Sequence, residues 1–180
     1  MIRRAADRYR SEQPGIASRH CISAGPHYDP ENVAFGALVG VDEHAVDPGA
    51  GFDWHAHRGV VIVSYVVAGV LRHEDASGGV RRVGAGQLLT QDARAGVRHR
   101  ETNGSATKPL RFVQLTMVAP LDVDMLRGPA RLDAPRVHLF VVRGRCRLDG
   151  GERLAAGDSL RAGAGVEVVS ADEVLVTVEG

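Results

Sequence analysis

Aromatic side chains are scarce in this 180-residue chain: four Phe, three Tyr and one Trp make up 4% of it. Any core must therefore be built from Val, Leu and Ala. Cysteine is rarer still. Cys21 and Cys146 stand far apart without CxxC spacing, which argues against a zinc knuckle or a disulfide framework. Neither charge is in surplus, with 22 basic against 22 acidic residues. The basic excess needed for nonspecific nucleic-acid binding is missing, so no direct nucleic-acid partner is expected. No apolar run approaches membrane-spanning length, and the charged N-terminus lacks an apolar signal segment. A cytoplasmic protein without membrane contact is the expectation. Four early arginines (Arg3, Arg4, Arg8, Arg10) read as a solvated, partly frayed terminus.

Glycine, by contrast, is plentiful. The 22 glycines and 8 prolines are spread along the whole chain, as expected for many short elements joined by turns. "VVIVSYVV" (Val60 to Val67) is rich in β-branched residues and too short for a lone helix, so it reads as a strand buried on both faces. From Gly49 to about Met117, strand and turn alternate without a helical period. The fold class is all-β, an antiparallel barrel or sandwich. A weaker copy comes later: "IVSYVVAGVLRH" (Ile62 to His73) resembles "VHLFVVRGRCRL" (Val137 to Leu148), and "GAGQLL" and "AAGDSL" come after each at similar distances. A duplicated unit is expected, with "DGG" at Asp149 to Gly151 turning a hairpin. Ala119 to Arg136, with three prolines, reads as a linker holding a short helical turn at "DVDML". The domains are then 1–120 and 121–180. The second is short for a barrel, its repeat covering about Pro135 to Gly180, and it is expected to pack on the first.

The chemistry gathers at "GFDWHAHRGV" and "GVRHRETN". Residues two apart on a strand share a face, so His55 and His57 can point into one interior. Alone, such a pair is common on exposed strands and means little. His99 and Glu101 repeat the spacing. If the two strands are neighbours, three imidazoles and a carboxylate converge across ~5 Å, within reach of an ion at roughly 2.0–2.2 Å per bond. With no thiolate in the set, Fe(II), Mn(II), Ni(II), Co(II), Cu(II) or Zn(II) all suit the donors.

These stretches, with "VSYVVAGVLRHEDASG" after the first, resemble the pirin family of the cupin superfamily. The likeness extends to "HYDPENVAFGAL" (His27 to Leu38), "PLRFVQL" (Pro109 to Leu115) and the later repeat. It implies a bicupin of double-stranded β-helix (jelly-roll) type, with a full N-terminal barrel and a shortened C-terminal one. It also implies one divalent metal, Fe(II) foremost, held by His55, His57, His99 and Glu101 in the N-terminal barrel only. The positions matching these ligands in the second unit, Ala130, Leu132, Ser170 and Asp172, would hold no metal.

Three departures from the family pattern stand out. Ala56 replaces a proline. Val61 replaces a glutamate and, if strand parity continues from His57, faces the metal. Arg94 and Arg100 replace a glycine and a serine; Arg100 is expected to point outward, whereas Arg94 could stand at the pocket mouth. His20, His27, His44 and His138 have no partner at ligand spacing and are expected in surface or core roles. His73 matches a family histidine that is not a ligand. Tyr65 is expected in the core, and Trp54 equally in the core or lining a flavonoid pocket.

The resemblance implies a quercetin 2,3-dioxygenase type of oxidoreductase, with a flavonol-like substrate and O2, ring opening with release of carbon monoxide, and Glu101 as general base. The alternative it implies is an iron-binding redox sensor that contacts a transcription factor or metabolic enzyme without turnover.

Overall fold

β-Branched residues and regularly placed glycines produce seventeen strands and no α-helix in the structure, a computed structural model that describes residues 1–180. The first six strands are β1 (Ile2–Arg3), β2 (Tyr9–Gln13), β3 (Ile16–His20), β4 (Leu38–Val46), β5 (Gly51–His57) and β6 (Val61–Ala68). The next six are β7 (Val70–Asp75), β8 (Val80–Gly84), β9 (Leu88–Asp92), β10 (Val97–Asn103), β11 (Leu110–Met117) and β12 (Asp122–Leu126). The last five are β13 (Ala130–Leu132), β14 (Arg136–Leu148), β15 (Arg153–Ala155), β16 (Ser159–Ala162) and β17 (Val166–Glu179). The protein is all-β.

Two compact units separate. One comprises residues 9–34 and 38–119, the other residues 1–8, 35–37 and 120–180. In the first, a four-stranded sheet (β5-β10-β7-β8) lies with a six-stranded one (β2-β3-β4-β11-β6-β9). Val66, Leu89, Leu110, Phe112, Ile16 and Val46 of the larger sheet meet Leu71 and Val83 of the smaller in one buried cluster. Every ladder in it is antiparallel. Alternation sets this core: in β6 the even positions share a face and the odd ones the opposite face.

In the other unit the ladder runs β1-β16-β14-β17-β12, with β13 also on β17 and β15 on β14. Its core is aliphatic, led by Val137, Leu139, Val141, Leu154, Val174 and Val176. Three local expectations need correction here. "DVDML" is strand β12, paired with Val174 to Val178 of β17, because a long neighbouring edge offers it hydrogen bonds that a five-residue helix could not supply for itself. The segment read as a linker thus carries β12 and β13. The N-terminus is not frayed: Ile2 and Arg3 pair with β16, and Arg4 bonds Glu152 at 2.7 Å and Asp158 at 2.9 Å. Arg8 is buried over the Phe140 ring.

The internal repeat is visible in hydrogen bonds. β6 pairs with β9 as β14 pairs with β16. Val66 exchanges bonds with Gln87 and Gly86; Val141 does the same with Asp158 and Gly157. The shared glycines, Gly69 and Gly144, both have positive φ, at 81° and 69°. A Cβ on Gly69 would stand 2.6 Å from the Pro109 carbonyl oxygen, which makes that position glycine on two counts. Beyond these glycines the copies diverge. Gly69 passes the chain from the six-stranded to the four-stranded sheet, whereas β14 runs through Gly144 as one strand. "DGG" forms a 3-10 turn between β14 and β15, which pair antiparallel as a hairpin.

Candidate metal centre

β10 lies between β5 and β7, and its register opposes His99 to His55 and Val97 to His57. The alternating imidazoles of β5 therefore meet the one on β10. One nitrogen from each of His55, His57 and His99 lies within 4.8 Å of the others. His55 and His99 approach at 2.9 Å between their Nε2 atoms. The rings of His57 and His99 stand nearly perpendicular, 5.0 Å apart. His99 is fully buried, and His55 and His57 are half-buried.

Glu101 lies on the same strand as His99, two residues on. It shares the face of His99, but a bulge intervenes: Glu101 pairs with Phe52, so one residue of β5 is left over between the two crossings. The carboxylate stands outside the three-histidine group. Gln114 of β11 donates to its Oε2 at 2.9 Å, and the Ser64 hydroxyl of β6 to Oε1 at 3.4 Å. Gln114 also reaches Ser64 at 3.2 Å. Burial raises the Glu101 pKa above the usual carboxylate range, while the Gln114 bond and the nearby His73 and His55 oppose that rise. Ser64 and Gln114 were missed in the sequence, although each interrupts an apolar buried strand, "VVIVSYVV" and "RFVQL". A polar side chain retained in such a place has a partner to serve.

His73 is the third residue that sequence spacing did not single out. It is buried on β7, and its Nε2 stands 2.8 Å from Nδ1 of His99. Its own Nδ1 meets no partner. The contacts assign a direction to the chain of imidazoles. His55 Nδ1–H donates to the Asp53 carbonyl at 2.7 Å, which leaves its Nε2 as an acceptor. His99 donates to it through Nε2–H, and His73 donates to His99. The bare Nδ1 of His73 is then a buried lone pair, cheaper to leave unmet than a buried N–H. Burial lowers the His99 pKa to about 3 and also lowers that of His57, each helped by neighbouring imidazoles.

The donors fit a divalent transition metal. An outer bond from Nδ1 to a carbonyl, as in His55, is a common orienting contact for such ligands. His99 would coordinate through Nε2 once its proton passes to Nδ1, which then donates to Nε2 of His73. Donors held by one ion at ~2.1 Å stand about 3 Å apart when adjacent, close to the spacing of His55 and His99. The second unit offers nothing comparable. β13 pairs with β17 as β5 does with β10, but the register sets Ala130 opposite Val168 and Leu132 opposite Val166. Val168, rather than Ser170, thus matches His99, and Ser170, rather than Asp172, matches Glu101. Val166 and Val168 belong to that unit's aliphatic core.

The departures resolve by strand parity. Val61 lies on the β6 face of Val63 and Tyr65, opposite Ser64, so it does not face the metal; the turn at Arg58 to Val60 breaks the count from His57. Tyr65 is buried on that same face. Trp54 projects from β5 opposite to His55, with the guanidinium groups of Arg98 and Arg100 at 5.3 and 5.2 Å from its ring. Arg100 points outward, forked onto Glu74 at 2.7 and 3.0 Å. Arg94 is engaged by Asp92, which it meets at 2.6 Å.

The other histidines have local partners or simple burial. His20 bonds Asp42 and Ser11, and His27 meets the Arg10 carbonyl and stacks on Tyr9. His44 is buried against Ser18, with its pKa lowered to about 4 by burial. His138 is buried in the other unit, lowered to about 3 by burial and Arg161. Both of these pKa values lie below the unfolded value of about 6.5. The unfolded chain therefore binds more protons, and stability present above pH 6.5 is lost as pH falls. Between pH 7 and 5.5, His44 and His138 should each cost roughly 1 kcal/mol, before most carboxylates titrate. Glu101, raised in the fold, acts in the opposite sense. Urea unfolding of metal-free protein at the two pH values checks this, and equal midpoints would refute it.

An all-β chain whose neighbouring strands bring three imidazoles together defines the class, a sheet protein with a candidate metal centre. The family is set by comparison. A sequence profile of the family described as Pirin matches residues 3–117, and the chain belongs to that family. A Mycobacterium bovis protein provisionally named quercetin 2,3-dioxygenase is 34% identical, covering 89% of this chain and 85% of its own. The Escherichia coli K12 quercetin 2,3-dioxygenase is 32% identical over 63% of this chain and 49% of its own. Among solved structures, the Escherichia coli pirin YhhW in complex with nickel(II) superposes with a TM-score of 0.86. It covers 98% of this chain and 96% of its own at 22% identity, a likeness of fold.

Proposed function

We propose that the protein is a metal-dependent dioxygenase of quercetin 2,3-dioxygenase type, acting on a flavonol or a related enolic or phenolic substrate. In this reading His55, His57, His99 and Glu101 hold one divalent transition metal, Fe(II) foremost. The metal belongs to the 1–120 domain, and the 121–180 domain carries none. The observation that carries the proposal is the convergence of three imidazoles beside a buried carboxylate. The names of the relatives support it.

A divalent ion held there supplies Lewis acidity toward a substrate oxygen. Glu101 accepts the hydroxyl proton of the substrate as general base. Gln114 and Ser64 hold both carboxylate oxygens and keep the group aimed while it changes charge. His55 keeps its orientation through the Asp53 carbonyl. Phe52, in edge contact with His55, contributes to an apolar surround that excludes water.

The test is quercetin consumption with matching O2 uptake, on protein loaded in turn with Fe, Mn, Ni, Co, Cu and Zn. At least one form should turn over to the ring-opened product, and Glu101→Gln should slow it by ~10²-fold or more. Absence of O2 uptake with every metal would refute the proposal.

A further inference from the structure

His73 stands on β7 directly opposite Glu101 of β10, so it shares the face of Glu101 and His99. Only 1% of it is exposed, yet its Nδ1 meets no partner, while its Nε2 stands 2.8 Å from Nδ1 of His99. The outer contacts of His55 and His99 therefore differ in kind. His55 is held by a main-chain carbonyl, which can only accept; this keeps its proton on Nδ1 and leaves Nε2 bare in advance. His99 is held by a second imidazole, which can donate or accept through the same nitrogen. In the metal-free arrangement His99 carries its proton on Nε2, toward His55, and His73 donates to Nδ1 of His99. That tautomer of His99 is the wrong one for holding an ion, because coordination requires a bare Nε2.

We propose that His73 is the positioning residue that sets the tautomer of His99: on uptake of a divalent transition metal the bond between the two rings reverses, and His99 then donates Nδ1–H to a bare Nε2 of His73. The protons balance within the pair. The Nε2 proton of His73 crosses to Nδ1 of His99, the Nε2 proton of His99 leaves, and Nδ1 of His73 takes one up. Both rings stay neutral throughout. The unpartnered Nδ1 is what allows this, since a group already bonded there would lock His73 in one tautomer. The role rests on the reading of the histidine cluster as a metal site. It adds a residue that touches no ion and acts only through His99, as outer partners of metal-bound imidazoles do.

The experiment is a zinc titration of the full chain followed by nitrogen NMR of the histidine rings. A protonated ring nitrogen and a bare one differ in chemical shift, so each tautomer is read without any need for turnover. His99 should carry its proton on Nε2 in metal-free protein and on Nδ1 in zinc-loaded protein, with His73 moving from Nε2–H to Nδ1–H in step. His73→Leu removes the acceptor and should lower zinc affinity ~10–100-fold. His73→Gln, whose side-chain carbonyl can accept the same bond, should recover most of that loss. A merely structural role would not separate the two variants when their metal-free urea midpoints agree. Zinc bound with both tautomers unchanged overturns the proposal, as does parent-like affinity in His73→Leu or a His73→Gln no better than His73→Leu. If His73→Leu fails to fold, the ring shifts of the parent protein decide alone. Parent protein that takes up no zinc overturns the metal reading itself, and the role of His73 falls with it.

Discussion

Protein with His99→Ala is expected to retain essentially no metal after purification, against about one ion per chain in the parent protein. His99 occupies an inner strand of its sheet and touches three other imidazoles, those of His55, His57 and His73. Removing an outer hydrogen-bond partner costs ~10–100-fold in metal affinity, and removing a direct donor from a three-imidazole group should exceed that range. The variant also deprives the buried Nε2 of His73 of its partner, a cost of about 1–3 kcal/mol in stability. For that reason His57→Ala, at a half-buried strand end, is the companion variant: it should lose metal with less effect on unfolding. Elemental analysis beside urea unfolding separates the two effects. A full equivalent of metal in either variant would remove that histidine from the site.

The second large effect is on stability. Phe112→Ala should destabilise the protein by about 3–5 kcal/mol, the range for emptying a fully buried aromatic site. Phe112 sits on β11, between β4 and β6, with no exposed surface. Its ring meets Phe52 edge-on at 6.5 Å and His44 at 4.9 Å. The chain has only four phenylalanines, so little else can fill the space. Phe52 in turn touches His55. The loss should therefore reach the metal centre as weaker uptake, which a purely distant core change would not cause. Phe112→Leu, close in volume, should cost less than half as much. A loss below about 1 kcal/mol in Phe112→Ala would mean that the core collapses around the gap.

Much of the candidate site was legible in the sequence because the relevant rule is local. Extended backbone places residues two apart on one face, so His55 with His57, and His99 with Glu101, were paired before any fold was known. The repeat was legible for a similar reason: Gly69 and Gly144 punctuate apolar strands at matching distances, and both take positive φ. Where local counting passed through a turn, it failed. Parity counted from His57 to Val61 crosses Gly59, where φ is 74°, and emerges on the wrong face. "DVDML" reads as a turn of helix only while the edge of β17 is unknown.

Spacing and composition within a few residues were enough for the all-β class and the candidate imidazoles, and the resemblance of whole motifs was enough for the family. Which strands became neighbours was settled only in three dimensions. The folded chain set the bulge between His99 and Glu101, and it brought His73, Ser64 and Gln114 to their places. It also gave Arg94 and Arg100 their carboxylate partners, Asp92 and Glu74. Hydrogen-bond register between strands depends on groups tens of residues apart, and no side chain's own neighbours in sequence carry that information.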